Sequence, residues 1–132
     1  MKARRITAPK LIAAYGLDEN KLTALAKVCD REGIILRGVE PRECGCQVGF
    51  LCGFGGFAPA ADCFDAPEGE CLIFSGFDRS SLSAAVDALR REGAAVALKA
   101  VCTPSNRSWT LKALMGELAK EHEYMTGRAD PK

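Results

Sequence analysis

The chain repeats itself. Gly16-Leu17-Asp18, Leu22-Thr23-Ala24 and Arg31-Glu32-Gly33 return sixty residues later as Gly76-Phe77-Asp78, Leu82-Ser83-Ala84 and Arg91-Glu92-Gly93. Seven identities fall in eighteen aligned positions, where chance gives roughly one. Whatever fold this chain adopts must therefore hold the same local unit twice, over about 10–40 and about 70–102.

Each unit reads as strand, helix, strand. Leu11 to Tyr15 is a short apolar run, Asp18 stands at a helix N-cap, and Leu22, Leu25, Ala26 and Cys29 recur at helical spacing before Gly33 ends the element. In the second copy Asp78 caps, Leu82, Ala85, Val86 and Leu89 form the stripe, and Gly93 supplies the left-handed stop. Leu17 and Phe77 precede the two caps at the spacing of a hydrophobic staple onto Leu22 and Leu82. The strands that follow, Ile34–Val39 and Val96–Val101, each carry one long basic side chain, Arg37 and Lys99, inside an apolar run. That alternation marks strands with one face less buried. Two βαβ units with helices on a single face predict an α/β fold of the ferredoxin-like plait kind, with a small open parallel sheet as the alternative. A C-terminal helix is added over about 108–125, where Leu111, Leu114, Met115, Leu118, His122 and Met125 share one stripe. It is placed to cover the open sheet face or to pair with a second subunit as a homodimer.

At 132 residues and 48% hydrophobic content, the chain suits one domain with a real core. Eighteen basic side chains nearly cancel seventeen acidic ones, which leaves no electrostatic footprint for nucleic acid or an anionic membrane. No long apolar stretch follows Arg4 and Arg5, so the reading is cytoplasmic, without signal peptide or membrane span. Seven cysteines then read as thiols or metal ligands rather than as a disulfide framework.

The copies diverge in two places. The inserted segment, 41–69, holds six of the thirteen glycines, four of the six phenylalanines and four of the seven cysteines. Phe50, Phe54 and Phe57 are costly to leave in water, so Val48 to Cys52 reads as a short strand or hairpin arm against the core or a partner. The glycines of 53–56 do not link a strand to a capped helix as a nucleotide-binding motif requires. Cys44, Cys46, Cys52 and Cys63 offer four thiolates to zinc or an iron–sulfur cluster, although paired C-x₂-C knuckles are absent. The plainer reading makes Cys52 and Cys63 small buried residues and Cys44 and Cys46 exposed loop thiols. Cys29, Cys71 and Cys102 read as core fillers.

The second divergence runs from Lys99 to Trp109, where a strand ends in a turn rich in hydroxyl and amide groups and opens a helix. Converging backbone N–H groups at a positive helix end make this the best site for a small anionic ligand. Lys99 and Arg107 add charge, Thr103, Ser105 and Asn106 hydrogen bonds, and Trp109 a flat apolar wall. The competing reading is that the same residues only turn and cap the chain. No second histidine, nucleophile-elbow serine or carboxylate cluster supports catalysis. The favoured function is a non-catalytic module binding a small ligand or a protein partner. The alternatives are a metal or iron–sulfur protein, and an enzyme with its site between the glycine-rich segment and the Thr103 turn.

The run Leu98 to Trp109, followed by Leu114, Glu117-Leu118 and Lys120-Glu121-His122, resembles the C-terminal signature of a bacterial family, domain of unknown function 3783. Val48 to Gly53 resembles a glycine-bounded stretch of full-length members, with Phe50 where tyrosine is expected and Cys52 where alanine is expected. The Cys44-Gly45-Cys46 pair is not a feature of that resemblance. The resemblance implies a cytosolic bacterial protein and adds Glu121 and His122 to the candidate ligand site. It implies no activity.

Overall fold

The computed structural model describes residues 9–129, with side chains from Pro9 through Glu121. Four strands make one mixed sheet: β1 (Leu11–Tyr15), β2 (Ile35–Val39), β3 (Cys71–Ser75) and β4 (Leu98–Val101), in the order β2-β1-β3-β4. β1 pairs parallel with β2, β3 parallel with β4, and the two central strands run antiparallel, with Ala13 opposite Ile73.

Both segments fold as βαβ, through α1 (Glu19–Glu32) and α3 (Arg79–Arg91). The helices start where their sequences say. The Asp18 carboxylate accepts from the Lys21 N–H at 2.8 Å, and the Asp78 carboxylate from the Ser81 N–H at 2.7 Å, which satisfies an orphan donor at each N-terminus. Gly33 closes α1 with φ 71°, in the left-handed region where only glycine sits without strain.

The strand order differs from that of a ferredoxin-like plait. There the two strands of each βαβ crossover are separated by an intervening strand; here each crossover joins neighbouring parallel strands. The open-sheet alternative is the nearer description, with a mixed rather than parallel sheet. The second sheet face is covered by the C-terminal helix, one of the two places expected for it, together with the inserted segment. One face packs Ile12, Ala14, Leu72 and Phe74 beneath α1 and α3. The other packs Ala13, Tyr15, Cys71 and Ile73 beneath the inserted segment and Leu111, Leu114 and Met115 of α4 (Leu111–Ala129). The central strands are thus buried on both faces. The polar alternation of β2 and β4 comes from their being edge strands, half-exposed along their length. The Arg37 guanidinium reaches both Glu43 oxygens at 3.1 Å, and Lys99 Nζ donates to the Val96 carbonyl at 2.6 Å.

Val48–Leu51 forms a one-turn helix, α2, and not the strand arm its apolar run suggests. Tertiary bonds override propensity at this length. The Val48 N–H donates to the Trp109 carbonyl at 2.8 Å and the Gly49 N–H to the Arg107 carbonyl at 2.9 Å. A side chain at Gly49 would run into the ring of Phe57, which lies directly on that backbone. No helix among the described residues is long and apolar enough to cross a membrane.

Candidate functional site

The turn after β4 is closed by its own side chains. Asn106 Oδ1 accepts from the Thr103 N–H at 2.9 Å, Asn106 Nδ2 donates to the Val101 carbonyl at 3.0 Å, and Thr103 Oγ1 accepts from the Asn106 N–H at 3.2 Å. The helix then starts three residues later than its sequence suggests, at Leu111, with Thr110 Oγ1 accepting from the Ala113 N–H at 3.1 Å.

This arrangement removes the anion site expected at the positive helix end. The Leu111 N–H donates to the Cys46 carbonyl at 3.0 Å, Lys112 N–H to the Cys44 carbonyl at 2.9 Å, and Leu114 N–H to the Thr110 carbonyl at 3.0 Å. With Ala113 bonded to Thr110, every donor of the first turn is taken by protein, so none is left to aim at a phosphate or carboxylate.

The same turn nevertheless forms one wall of a cavity of about 300 Å³. Its lining joins Ala100 and Val101 of β4, Thr103, Ser105, Asn106 and Trp109 of the turn, and Leu114, Glu117, Leu118 and Glu121 of α4. Trp109 is 40% exposed and lines this space rather than the core. Five of the eight residues expected at the site are therefore brought together: Thr103, Ser105, Asn106, Trp109 and Glu121. Ser105 contributes a hydroxyl that lies 3.4 Å from Thr103 Oγ1.

The two expected cations are not there. Lys99 turns toward the α3 side of β4, among Leu72, Val86 and Leu89. Arg107 folds back over the inserted segment, its Cζ 3.9 Å from the centroid of Phe54. The described charges on the cavity wall are instead the carboxylates of Glu117 and Glu121, with Lys120 Nζ 3.5 Å from one Glu117 oxygen. The described wall of this groove thus sets acidic side chains beside the part-exposed Trp109. The side chain of His122 lies outside the described residues.

The cysteines separate into pairs that their spacing does not reveal. Cys44 faces Cys63: burial, followed by the hydrogen bond to Cys63, pushes the Cys44 thiol up to about 11, while that bond and one from the Asp65 backbone hold Cys63 below the ordinary thiol value. Cys52 faces Cys102, which comes from outside the expected ligand set. The hydrogen bond from Cys52, followed by the hydrogen bond and charge of Arg107, lowers the Cys102 thiol. Donation to Cys102 and burial raise Cys52. Cys46 belongs to the core cluster beneath the sheet, and burial alone raises Cys29 to about 11 and Cys71 to about 12. The four thiols expected around a metal do not converge, and no group of three or more His, Cys, Asp or Glu among the described residues is placed to hold one.

The unit that carries the cavity is β3, α3, β4, the turn and the first part of α4. That stretch, residues 70–125, matches the family model of a domain of unknown function, DUF3783. It begins one residue before β3, so both walls of the cavity fall inside the DUF3783 match, whereas Cys44, Cys46, Cys52 and Cys63 fall outside it. No curated protein and no solved structure matches the chain. The DUF3783 description assigns no activity.

Proposed function

We propose that the protein is a non-catalytic binding module whose DUF3783 segment takes a cationic group with an apolar body, either a small amine or a basic side chain of a protein partner. The observation that carries this reading is the composition of the cavity between β4 and α4: Trp109, Leu114 and Leu118 as apolar surface, with Glu117 and Glu121 at its rim. The apolar lining supplies the contact area. The Trp109 face adds a cation–π attraction of about 0.5–1 kcal/mol at such an exposed site, and the carboxylates set the sign of the charge accepted.

The inserted segment serves this site as a support. Backbone bonds from Val48 and Gly49 hold the Arg107 and Trp109 carbonyls, and Phe54 holds the Arg107 side chain. The glycine-rich stretch therefore meets the turn from below and does not line the cavity. That separation disfavours an enzyme site shared between the two.

The test uses Trp109, the single tryptophan, as reporter in a titration of the full chain with hexylammonium and, separately, hexanoate. Hexylammonium changes the indole emission saturably, and hexanoate binds at least about fivefold more weakly. Equal or tighter binding of hexanoate would overturn the reading.

A further inference from the structure

Cys52 and Cys102 lie at the ends of separate elements that the backbone holds together. The Cys52 N–H closes α2 on the Val48 carbonyl at 2.9 Å, and the Cys102 N–H extends the β3–β4 pairing by donating to the Phe74 carbonyl at 2.8 Å. α2 is fastened to the turn beyond Cys102 by the bonds from Val48 to Trp109 and from Gly49 to Arg107. Around the two sulfurs stand Ser75, a buried polar side chain at 4% exposure, and Arg107. Cys52 is buried, whereas Cys102 is part-exposed.

Arg107 is the unexplained member of this group. Its Nε is buried without a hydrogen-bond partner, its guanidinium lies against the Phe54 ring, and no carboxylate stands within ion-pair distance among the described residues. Arg107 is half-buried, and leaving its Nε cut off from water without a partner is costly. A thiolate at Cys102 supplies a counter-charge, and a cation beside a part-exposed thiol is the setting of reactive cysteines.

We propose that Cys52 and Cys102 form a peroxide-responsive thiol pair, in which Arg107 holds Cys102 as the attacking thiolate and Cys52 is the resolving thiol. The Cys102 sulfur attacks one oxygen of hydrogen peroxide, the O–O bond breaks, and the departing hydroxide takes up a proton. Cys102 becomes a sulfenic acid with release of one water. The Cys52 sulfur then attacks the sulfenic sulfur, the S–O bond breaks, the Cys52 proton leaves with the hydroxyl as a second water, and a disulfide forms. Two thiols are oxidised and one peroxide is reduced to two waters. The new bond ties α2 to the end of β4, at the base of the turn that carries Trp109, and removes the negative charge facing Arg107.

The test is peptide mapping of the reduced, folded chain after brief treatment with one equivalent of hydrogen peroxide, followed by alkylation of the remaining thiols. The wild-type protein loses two hydrogens and shows a Cys52–Cys102 link before any link between Cys44 and Cys63. Cys52→Ala halts at a dimedone-reactive Cys102, and Arg107→Leu slows the reaction by about tenfold. The wild-type map decides the matter even where a variant folds poorly. A Cys44–Cys63 link appearing first, a Cys52–Cys102 link forming no faster than in the urea-unfolded chain, or a dimedone adduct on Cys52 instead of Cys102 would each overturn the assignment.

Discussion

Asn106→Ala is the sharpest perturbation of the turn that carries the cavity. The native side chain makes two bonds, accepting from the Thr103 N–H at 2.9 Å and donating to the Val101 carbonyl at 3.0 Å. Each such bond contributes roughly 0.5–1.5 kcal/mol net, so losing both costs about 2 kcal/mol. Asn106→Asp retains the acceptor and loses the donor, and sets a carboxylate against the Val101 carbonyl; its cost is about 1 kcal/mol. The assay is urea unfolding in reducing buffer, followed by far-ultraviolet circular dichroism and by Trp109 emission. With a slope of about 1.5 kcal/mol per molar urea for a chain of this size, the alanine variant moves the midpoint down by about 1.3 M and the aspartate variant by about half as much. A midpoint for Asn106→Ala within about 0.3 M of wild type would refute the claim that these bonds hold the turn. So would an aspartate variant as unstable as the alanine one, since that would place none of the stability in the acceptor.

Leu111→Ala tests the layer that covers the second sheet face. Leu111 is fully buried, so its truncation costs about 2–5 kcal/mol, read from the same urea curves; a loss below about 1 kcal/mol would mean that α4 does not pack there. The Arg37–Glu43 pair sets a pH dependence. Its main cause is the hydrogen bonding from Arg37, which holds the Glu43 carboxyl below its ordinary value. The folded pKa is therefore depressed, and the contribution is fully present above the unfolded pKa of about 4.3 and lost as pH falls through the lower folded value. Glu43→Gln lowers stability at neutral pH by at most about 1 kcal/mol for this part-exposed pair. Wild type and variant then converge in acid; a gap that widens below the unfolded pKa would contradict the assignment.

The parts of the fold legible in the sequence are those fixed over a few residues. Asp18 and Asp78 cap because a short carboxylate before an apolar stripe meets a free N–H, whatever surrounds it. Gly33 stops its helix for an equally local reason. Strand order is not local. The same two βαβ units serve whether or not a foreign strand inserts into each crossover, and nothing in Leu11–Tyr15 or Cys71–Ser75 says which. Arg37 and Lys99 misled because edge exposure and a solvated sheet face leave the same alternation. The residues of α2 favour a strand by type, and their helical turn comes from partners at 107–109, far along the chain.

The candidate site was half legible. Thr103, Ser105, Asn106, Trp109 and Glu121 do meet at one cavity. The absence of Arg107 and Lys99 from its described lining was not legible, because the direction of Arg107 depends on Phe54 and that of Lys99 on the Val96 carbonyl. Glu117 was overlooked as a wall residue; it stands one helical turn before Glu121, a spacing that places both on the same face. The pairing of Cys52 with Cys102 crosses fifty residues, and no spacing rule reaches it.

The charge preference of the cavity is tested most directly by the Trp109 titration repeated on the double variant Glu117→Gln, Glu121→Gln. Neutralising both carboxylates leaves the apolar lining in place, so hexylammonium and hexanoate should bind the variant with affinities within about twofold of each other, while the wild type keeps its preference for the cation. A preference that survives in the double variant, or hexylammonium binding that leaves Trp109 emission unchanged in the wild type, would contradict a cation-binding cavity between β4 and α4.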